Sequence, residues 1–297
     1  MTERGPDAGN LRFALLLTCP VLAFLLAFML YPLGYSFWMS LNDIQYLLGK
    51  VEIEFVGLQN YLEAFKDEAF WHSMVLSLRF TVVSVVLTIA IGLGLALVMN
   101  SKVGQSKLVR TIIILPWAVS LYGTGVMWFY LLNGQAGLPT TIFHWFGNDR
   151  PPNLFAPGSV IEILAIANAW NLAPLVAFFL LAGMQATPLR LYHLAQIDRL
   201  GAWGQFRHVT LPPIRFTLFV FSSIVTIFSL KVFDLINIMS RGGPGDASTV
   251  LTYLVYDISF QQTRTGYGSA VSFCLLATII ISTLLLYALW GRHEEAI

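Results

Sequence analysis

Six predominantly apolar stretches punctuate the chain, at 11–37, 73–99, 111–132, 159–185, 216–239 and 270–290. A helix of roughly 20 residues, rising about 1.5 Å per residue, matches the ~30 Å hydrocarbon core of a bilayer. In lipid every backbone N–H and C=O must be satisfied within the segment, which open strands cannot do, so the runs predict helices. Only 11% of the 297 residues are charged, against roughly 25% in soluble domains. That is too little charge to coat a water-facing shell. The chain reads as all-α, a single integral membrane domain over 1–297 with six transmembrane helices.

The first run follows Arg4 and Arg12. It exceeds the roughly 7–15 residues of a signal-peptide core and ends in no small-residue cleavage site, so it is expected to remain as a span. Basic residues concentrate on the cytoplasmic side of membrane proteins. With both termini inside, Arg4, Arg12, Lys102, Lys107, Arg110, Arg190, Arg199, Arg207, Arg215 and Arg292 face the cytoplasm, and Lys50, Lys66, Arg150, Arg241 and Arg264 face outward. The acidic residues run the other way. A net charge of +1 makes no case for nucleic acid. Cys19 and Cys274 sit in apolar runs, where they act as small hydrophobes, and no metal spacing is present.

The outer connections carry some pattern. FVGLQNYLEAF within 43–72 is an aromatic stripe suited to the headgroup level. The 133–157 segment, with GNDRPPN, reads as a turn-rich connection, and Gly242, Gly243, Pro244 and Gly245 end the fifth span abruptly. The longest cytosolic-type interruption is 186–215, with LYHLAQIDRLGAWGQFRHVTLP at its centre. Proline suits a helix's first turn, so Pro188 opens a helix whose one side is Leu191, Leu194, Ala195 and Ile197. Gly201 permits a reversal, and Ala202, Phe206 and Val209 form a second short stripe, ended by Pro212 and Pro213. Such a hairpin either rests its apolar side on lipid or needs a partner to cover it.

The hairpin resembles the EAA loop of ATP-binding-cassette importer permeases, with its pattern E-A-A-x-x-x-G, nine residues, then I-x-L-P. His193 stands at the acid, Leu194 and Ala195 at the alanines, and Arg199 at the glycine. Val209, Thr210, Leu211 and Pro212 stand at I-x-L-P, while Leu191, Tyr192, Ile197 and Asp198 match the accompanying L-Y and I-D. Trp203, Phe206 and Arg207 match the W-x-x-F-R of carbohydrate permeases. His193 and Arg199 depart from the pattern, and Gly201 is expected to have taken over the turn. Further matches to the sugar permeases of this family are Phe55–Tyr61 (FVGLQNY), Leu115–Trp117 (LPW), Ala182–Pro188 (AGMQATP), Phe233–Asp234 with Gly242–Pro244, and Tyr256 and Phe260 with Gly266–Ala270.

The resemblance implies the type I importer fold, with the coupling hairpin between helices 4 and 5. It implies a membrane-spanning permease subunit, in a bacterial plasma membrane with both termini cytoplasmic, that imports a sugar or sugar-like solute by alternating access. It also implies the partners: a second permease chain, an ATPase dimer and an extracytoplasmic substrate-binding (lipo)protein. ATP and Mg would belong to the ATPase, with no cofactor on this chain. The coupling residues are then His193, Leu194, Ala195, Asp198, Arg199, Gly201, Trp203, Phe206, Arg207, Leu211 and Pro212. The resemblance further marks the fourth-span turn Trp170, Asn171, Leu172 and Leu175, and the helix before Gly242, as sugar-lining.

Ionisable groups within a span cost roughly 2.5–3.5 kcal/mol on insertion scales. Lys231 and Asp234 are spaced to share one helical face, which Asn237 continues. They read either as a structural ion pair or as the wall of a polar cavity. Asn168 through Asn171, followed by Pro174, suits a helix opening a carbonyl to such a cavity. Trp117, Tyr122 and Trp128 could stack on sugar C–H faces or simply pack between helices. Arg79 and Glu162, near span ends, are expected to snorkel. No GxxxxGK[ST], HExxH or GxSxG occurs, so an enzyme is not expected. The remaining alternative is an ion-coupled secondary transporter using Lys231 and Asp234, although no internal repeat marks two related halves.

Overall fold

A computed structural model describes residues 8–47, 50–101, 104, 106–132, 134, 137–147 and 153–290. Arg4, Lys102, Arg150, Arg292 and most of the GNDRPPN turn lie outside the described residues. Two compact units are distinguished: Met1–Asp67 with Val255–Phe273, and Glu68–Leu254 with Cys274–Ile297.

In the first unit, α1 (Ala8–Leu25) leads through a π-helical turn (Leu26–Leu30) into α2 (Tyr31–Ser40). Pro32 lacks an N–H, and the wider turn just before it reroutes the Tyr31 N–H to the Leu26 carbonyl. An antiparallel hairpin follows, β1 (Asn42–Leu47) on β2 (Lys50–Phe55), in the register Asn42↔Phe55 to Leu47↔Lys50. Then comes α3 (Gln59–Lys66). The expected aromatic stripe is thus a strand end, a left-handed Gly57 and a short helix. Its Asn60 and Tyr61 turn inward: the Asn60 amide donates to the carbonyls of Ser40 (2.9 Å) and Asn42 (3.1 Å), and the Tyr61 hydroxyl lies 2.7 Å from Ser40 Oγ. Phe55, Leu58, Leu62 and Phe65 stay exposed. The start of α13 (Thr265–Trp290) closes on this corner, with Arg264 paired to Glu63 at 2.6 Å and the Tyr267 hydroxyl donating to Asp67 at 2.8 Å.

The second unit is built on α4 (Glu68–Asn100) and α8 (Val160–Gln185). Ser84, Thr88, Gly92 and Ala96 recur every four residues on α4, and Ala165, Ala169, Ala173 and Ala177 do so on α8; all eight are buried. Such ridges let two backbones approach closely. A Cβ added at Gly92 would lie 2.9 Å from the Val176 side chain and 3.2 Å from the Ala173 carbonyl. Larger side chains pack at both ends of this seam: Phe80, Ile161, Leu164 and Leu235 at one, Met99, Leu180, Met184 and Ile214 at the other. The remaining apolar surface is exposed on the outside of the bundle, as lipid requires.

Two expected spans are not single helices. The third breaks into α5 (Lys107–Ala118) and α6 (Leu121–Leu132), bent by 96°. Val119 is extended, and Ser120 starts α6 by accepting the Gly123 N–H on its hydroxyl at 3.1 Å. The fifth ends α11 (Leu211–Leu230) and restarts as α12 (Asp234–Met239). Asp234 opens the new helix, where a carboxylate meets the positive end of the helix dipole. Lys231 therefore does not share a continuous helical face with Asp234 and Asn237, which both lie on α12. Arg79 and Glu162 do not snorkel independently: they form an ion pair between α4 and α8. The connection after α6 includes a short helix, α7 (Leu138–Trp145). With the bent pair counted once, six segments among the described residues are long and apolar enough to span a membrane.

Candidate functional site

A cavity of about 320 Å³ lies between the two breaks, walled by Leu121, Asn168, Asn171, Leu172, Phe228, Lys231, Val232, Phe233 and Asp234. Irregular backbone at membrane depth is tolerated where it is buried in protein or lines such a space. The freed carbonyl of Val232 accepts the Thr252 hydroxyl, and the Phe233 ring stacks on Tyr253 at 6.3 Å. The segment after α12 folds back to make both contacts. Gly242 (φ 79°) allows that return: a Cβ there would sit 2.7 Å from Thr249 Oγ1 and from the Tyr253 ring. Gly243 accepts the Ser248 hydroxyl at 2.7 Å, and Pro244 is exposed beside it.

The two asparagines are held differently. Asn168 donates to Ser84 Oγ at 2.6 Å and Ser229 Oγ at 3.3 Å, joining α4, α8 and α11 through a buried polar cluster. Asn171 spends its amide on the third-span break, donating to the carbonyls of Pro116 (2.9 Å) and Val119 (3.0 Å) and to Thr124 Oγ1 (3.0 Å). Lys231 and Asp234 are exposed, and among the described residues no ion pair joins them. The wall thus offers one cation and one anion against leucine, valine and phenylalanine, the N–H groups of both asparagines being already engaged.

The structure brings together Asn168, Asn171, Leu172, Lys231 and Asp234. It does not bring the other path candidates to the cavity wall. Trp170 turns edge-on to Trp128, with centroids 6.0 Å apart, and Leu175 packs against the core. Asn237 is half-buried on α12, and Trp117 and Tyr122 are exposed on α5 and α6. The carbonyl expected to open at Pro174 does not interrupt α8, which runs unbroken from Val160 to Gln185. Ser84, Thr124 and Ser229 were missed. Their signal was small polar residues within apolar runs, which gains meaning only once their partners are known.

The hairpin consists of α9 (Leu189–Ile197), α10 (Ala202–Gln205) and a π-helical turn (Phe206–Thr210) that runs into α11. Pro212 and Pro213 do not terminate the second helix. They occupy the first turn of α11, and the π-helical turn redirects the Leu211 N–H to the Phe206 carbonyl, as happens before Pro32. The reversal is not at Gly201, whose φ is −66°. It is at Arg199, whose φ is 54°, with the Leu200 N–H bonded to Ala195 O at 2.9 Å and the Arg199 N–H to Gln196 O at 3.0 Å. This is a Schellman closure with arginine in glycine's usual place. Ala195 is buried; His193, Leu194, Asp198, Arg207 and Pro212 are exposed, and Leu211 is half-buried. Trp203 stacks on Phe206 at 5.5 Å while remaining 71% exposed. Tyr192 and Thr210 hydroxyls, 3.2 Å apart, tie the two arms.

Residues 88–293 match the family described as binding-protein-dependent transport system inner membrane component. A trehalose/maltose transport system permease protein of Thermococcus litoralis is 33% identical over 281 residues, covering 94% of each chain. A trehalose transport system permease protein of Mycobacterium tuberculosis is 29% identical over 98% of this chain and 92% of its own. The crystal structure of a bacterial transporter importing the acidic polysaccharide alginate superposes with a TM-score of 0.81 at 23% identity, covering 96% of each chain. That last likeness is one of fold.

Proposed function

Since the chain belongs to the binding-protein-dependent transport system inner membrane component family, it is a permease subunit of an importer, and we propose that its cargo is a neutral, trehalose- or maltose-like sugar. The observation that carries this is the cavity between the broken spans. A sugar presents hydroxyls around apolar C–H faces. Lys231 can donate to the hydroxyls, Asp234 can accept from them, and Leu121, Leu172 and Phe228 suit the C–H faces. Relatives named for trehalose and maltose transport point to the same cargo.

The engine is a separate ATPase dimer that carries ATP and Mg. It docks on the exposed side of α9 and α10, through His193, Leu194, Asp198, Trp203, Arg207 and Pro212, backed by Ala195, Phe206 and Leu211, with Arg199 and Gly201 shaping the turn between the two arms. A second permease chain completes the pathway, and an extracytoplasmic binding protein delivers the sugar. Both termini face the cytoplasm, and ATP-driven closure of the dimer moves the hairpin as a lever. The ion-coupled alternative finds no support: its Lys231–Asp234 pair is not formed among the described residues, and the family is of another kind.

Reconstitution of the assembled complex in liposomes tests this reading. Labelled trehalose or maltose is expected to accumulate with ATP, and Lys231→Met or Asp234→Asn is expected to raise KM about tenfold, the loss of one charged hydrogen bond. Accumulation driven by an ion gradient alone would overturn the coupling. A preference for acidic over neutral saccharides would overturn the cargo.

A further inference from the structure

Asn171 is 5% exposed, and its side-chain nitrogen carries two hydrogens for three oxygens: the Pro116 carbonyl, the Val119 carbonyl and Thr124 Oγ1, all within 3.0 Å. The Pro116 carbonyl keeps a backbone donor in the Val119 N–H, a tighter three-residue contact at 3.3 Å, whereas the Val119 carbonyl has lost its helical one. The Gly123 N–H, which would have served Val119 in a continuous helix, goes instead to Ser120 Oγ. Thr124, itself fully buried, completes the set. Unsatisfied carbonyls in a lipid-immersed segment are strongly disfavoured. Without the Asn171 donors the break has to straighten, shift or admit water. Leu121, the first residue past the break, belongs to the cavity wall, as do Asn171 and Leu172.

We propose that Asn171 is a positioning residue, a latch that fixes the bend between α5 and α6 and so places the Leu121 side of the cavity. It acts through the backbone of the third span, not by reading the cargo. The inference rests on the reading that this cavity holds the transported solute. The clamp reaches across more than 45 residues of sequence and joins a continuous helix, α8, to a broken one. Spans that must change the cavity during transport gain from having one such tie at their weakest point.

The test places spin labels on the assembled complex in nanodiscs, at Leu108→Cys on α5 and Tyr130→Cys on α6, both exposed, with Cys19→Ser and Cys274→Ser. The parent is expected to give one narrow distance distribution. Asn171→Ala and Asn171→Asp, the latter similar in shape but without donors, are both expected to broaden or shift it. In the same samples KM for sugar uptake is expected to rise about tenfold while kcat per assembled transporter stays within about twofold. A merely destabilised bundle would lower the amount of working transporter and leave KM unchanged. An unchanged distribution in both variants overturns the latch, whether or not uptake falls, because Asn171 would then act by touching cargo or not at all. Broadening in Asn171→Asp alone overturns it too, since charge repulsion would explain that result. Should the parent take up no neutral sugar, the label distances still decide the latch, and the failure falls on the cargo reading.

Discussion

The N–H of Leu200 donates to the carbonyl of Ala195 at 2.9 Å, closing α9 around an arginine, Arg199, in the left-handed conformation. A non-glycine residue held there costs roughly 1–3 kcal/mol, which the surrounding contacts must offset. The hairpin between the fourth and fifth spans keeps glycine's geometry without glycine.

It follows that Arg199→Gly relaxes the turn. Thermal unfolding of the purified complex is expected to rise slightly, with sugar-stimulated ATPase activity retained. Arg199→Val, β-branched at positive φ, is expected to lower that activity severalfold. Gly201→Val is expected to be mild, because φ there is ordinary and no atom lies within 4 Å of an added Cβ. A severe loss in Gly201→Val with Arg199→Val unaffected would return the reversal to Gly201.

Trp203 lies flat on Phe206 and is largely exposed, an arrangement that leaves an aromatic face for another protein. Phe206→Asp is expected to separate hydrolysis from uptake: membrane insertion normal, ATPase activity present, sugar accumulation reduced at least about tenfold. Undiminished, sugar-stimulated uptake in that variant contradicts the lever.

Gly92→Leu is expected to separate α4 from α8, since the added Cβ alone would meet Val176 at 2.9 Å. Overpacking a tight seam costs about 1–3 kcal/mol, and more where backbone is in the way. Size-exclusion profiles in detergent should show aggregation or loss of the complex, with Gly92→Ala affected less.

Gly242→Ala meets two obstacles together, a φ of 79° and a Cβ 2.7 Å from Thr249 and Tyr253. Its return loop also carries Thr252, which satisfies the Val232 carbonyl beside the cavity. Sugar KM is expected to rise in this variant although residue 242 does not line the cavity. An unchanged KM would mean that the loop does not hold the fifth-span break.

The span pattern was legible in the sequence because a bilayer demands long apolar runs and little else. Hydropathy is blind to what interrupts such a run. Residues 216–239 are predominantly apolar, yet the helix stops at Leu230, and the Val232 carbonyl finds its donor in Thr252 twenty positions away. The break at Val119 and Ser120 has the same character, its donor arriving from Asn171. Asn168, Asn171, Lys231 and Asp234 stood out as polar groups where they are expensive, so the polar part of the cavity could be anticipated. Their pairing could not: spacing suggested that Lys231 and Asp234 share a face, a statement valid only for an unbroken helix. Arg199 was misjudged because glycine's preference for positive φ made Gly201 the natural pivot, and the strain held at Arg199 leaves no trace in composition.

The meshed small residues of α4 and α8 act as a ratchet with coarse teeth. One notch is four residues, about 6 Å along the axis, so sliding by less would drive side chains into the opposing backbone. Any opening and closing smaller than a notch must therefore be taken up outside this seam, in a bundle whose third and fifth spans are interrupted at 119–120 and 231–233.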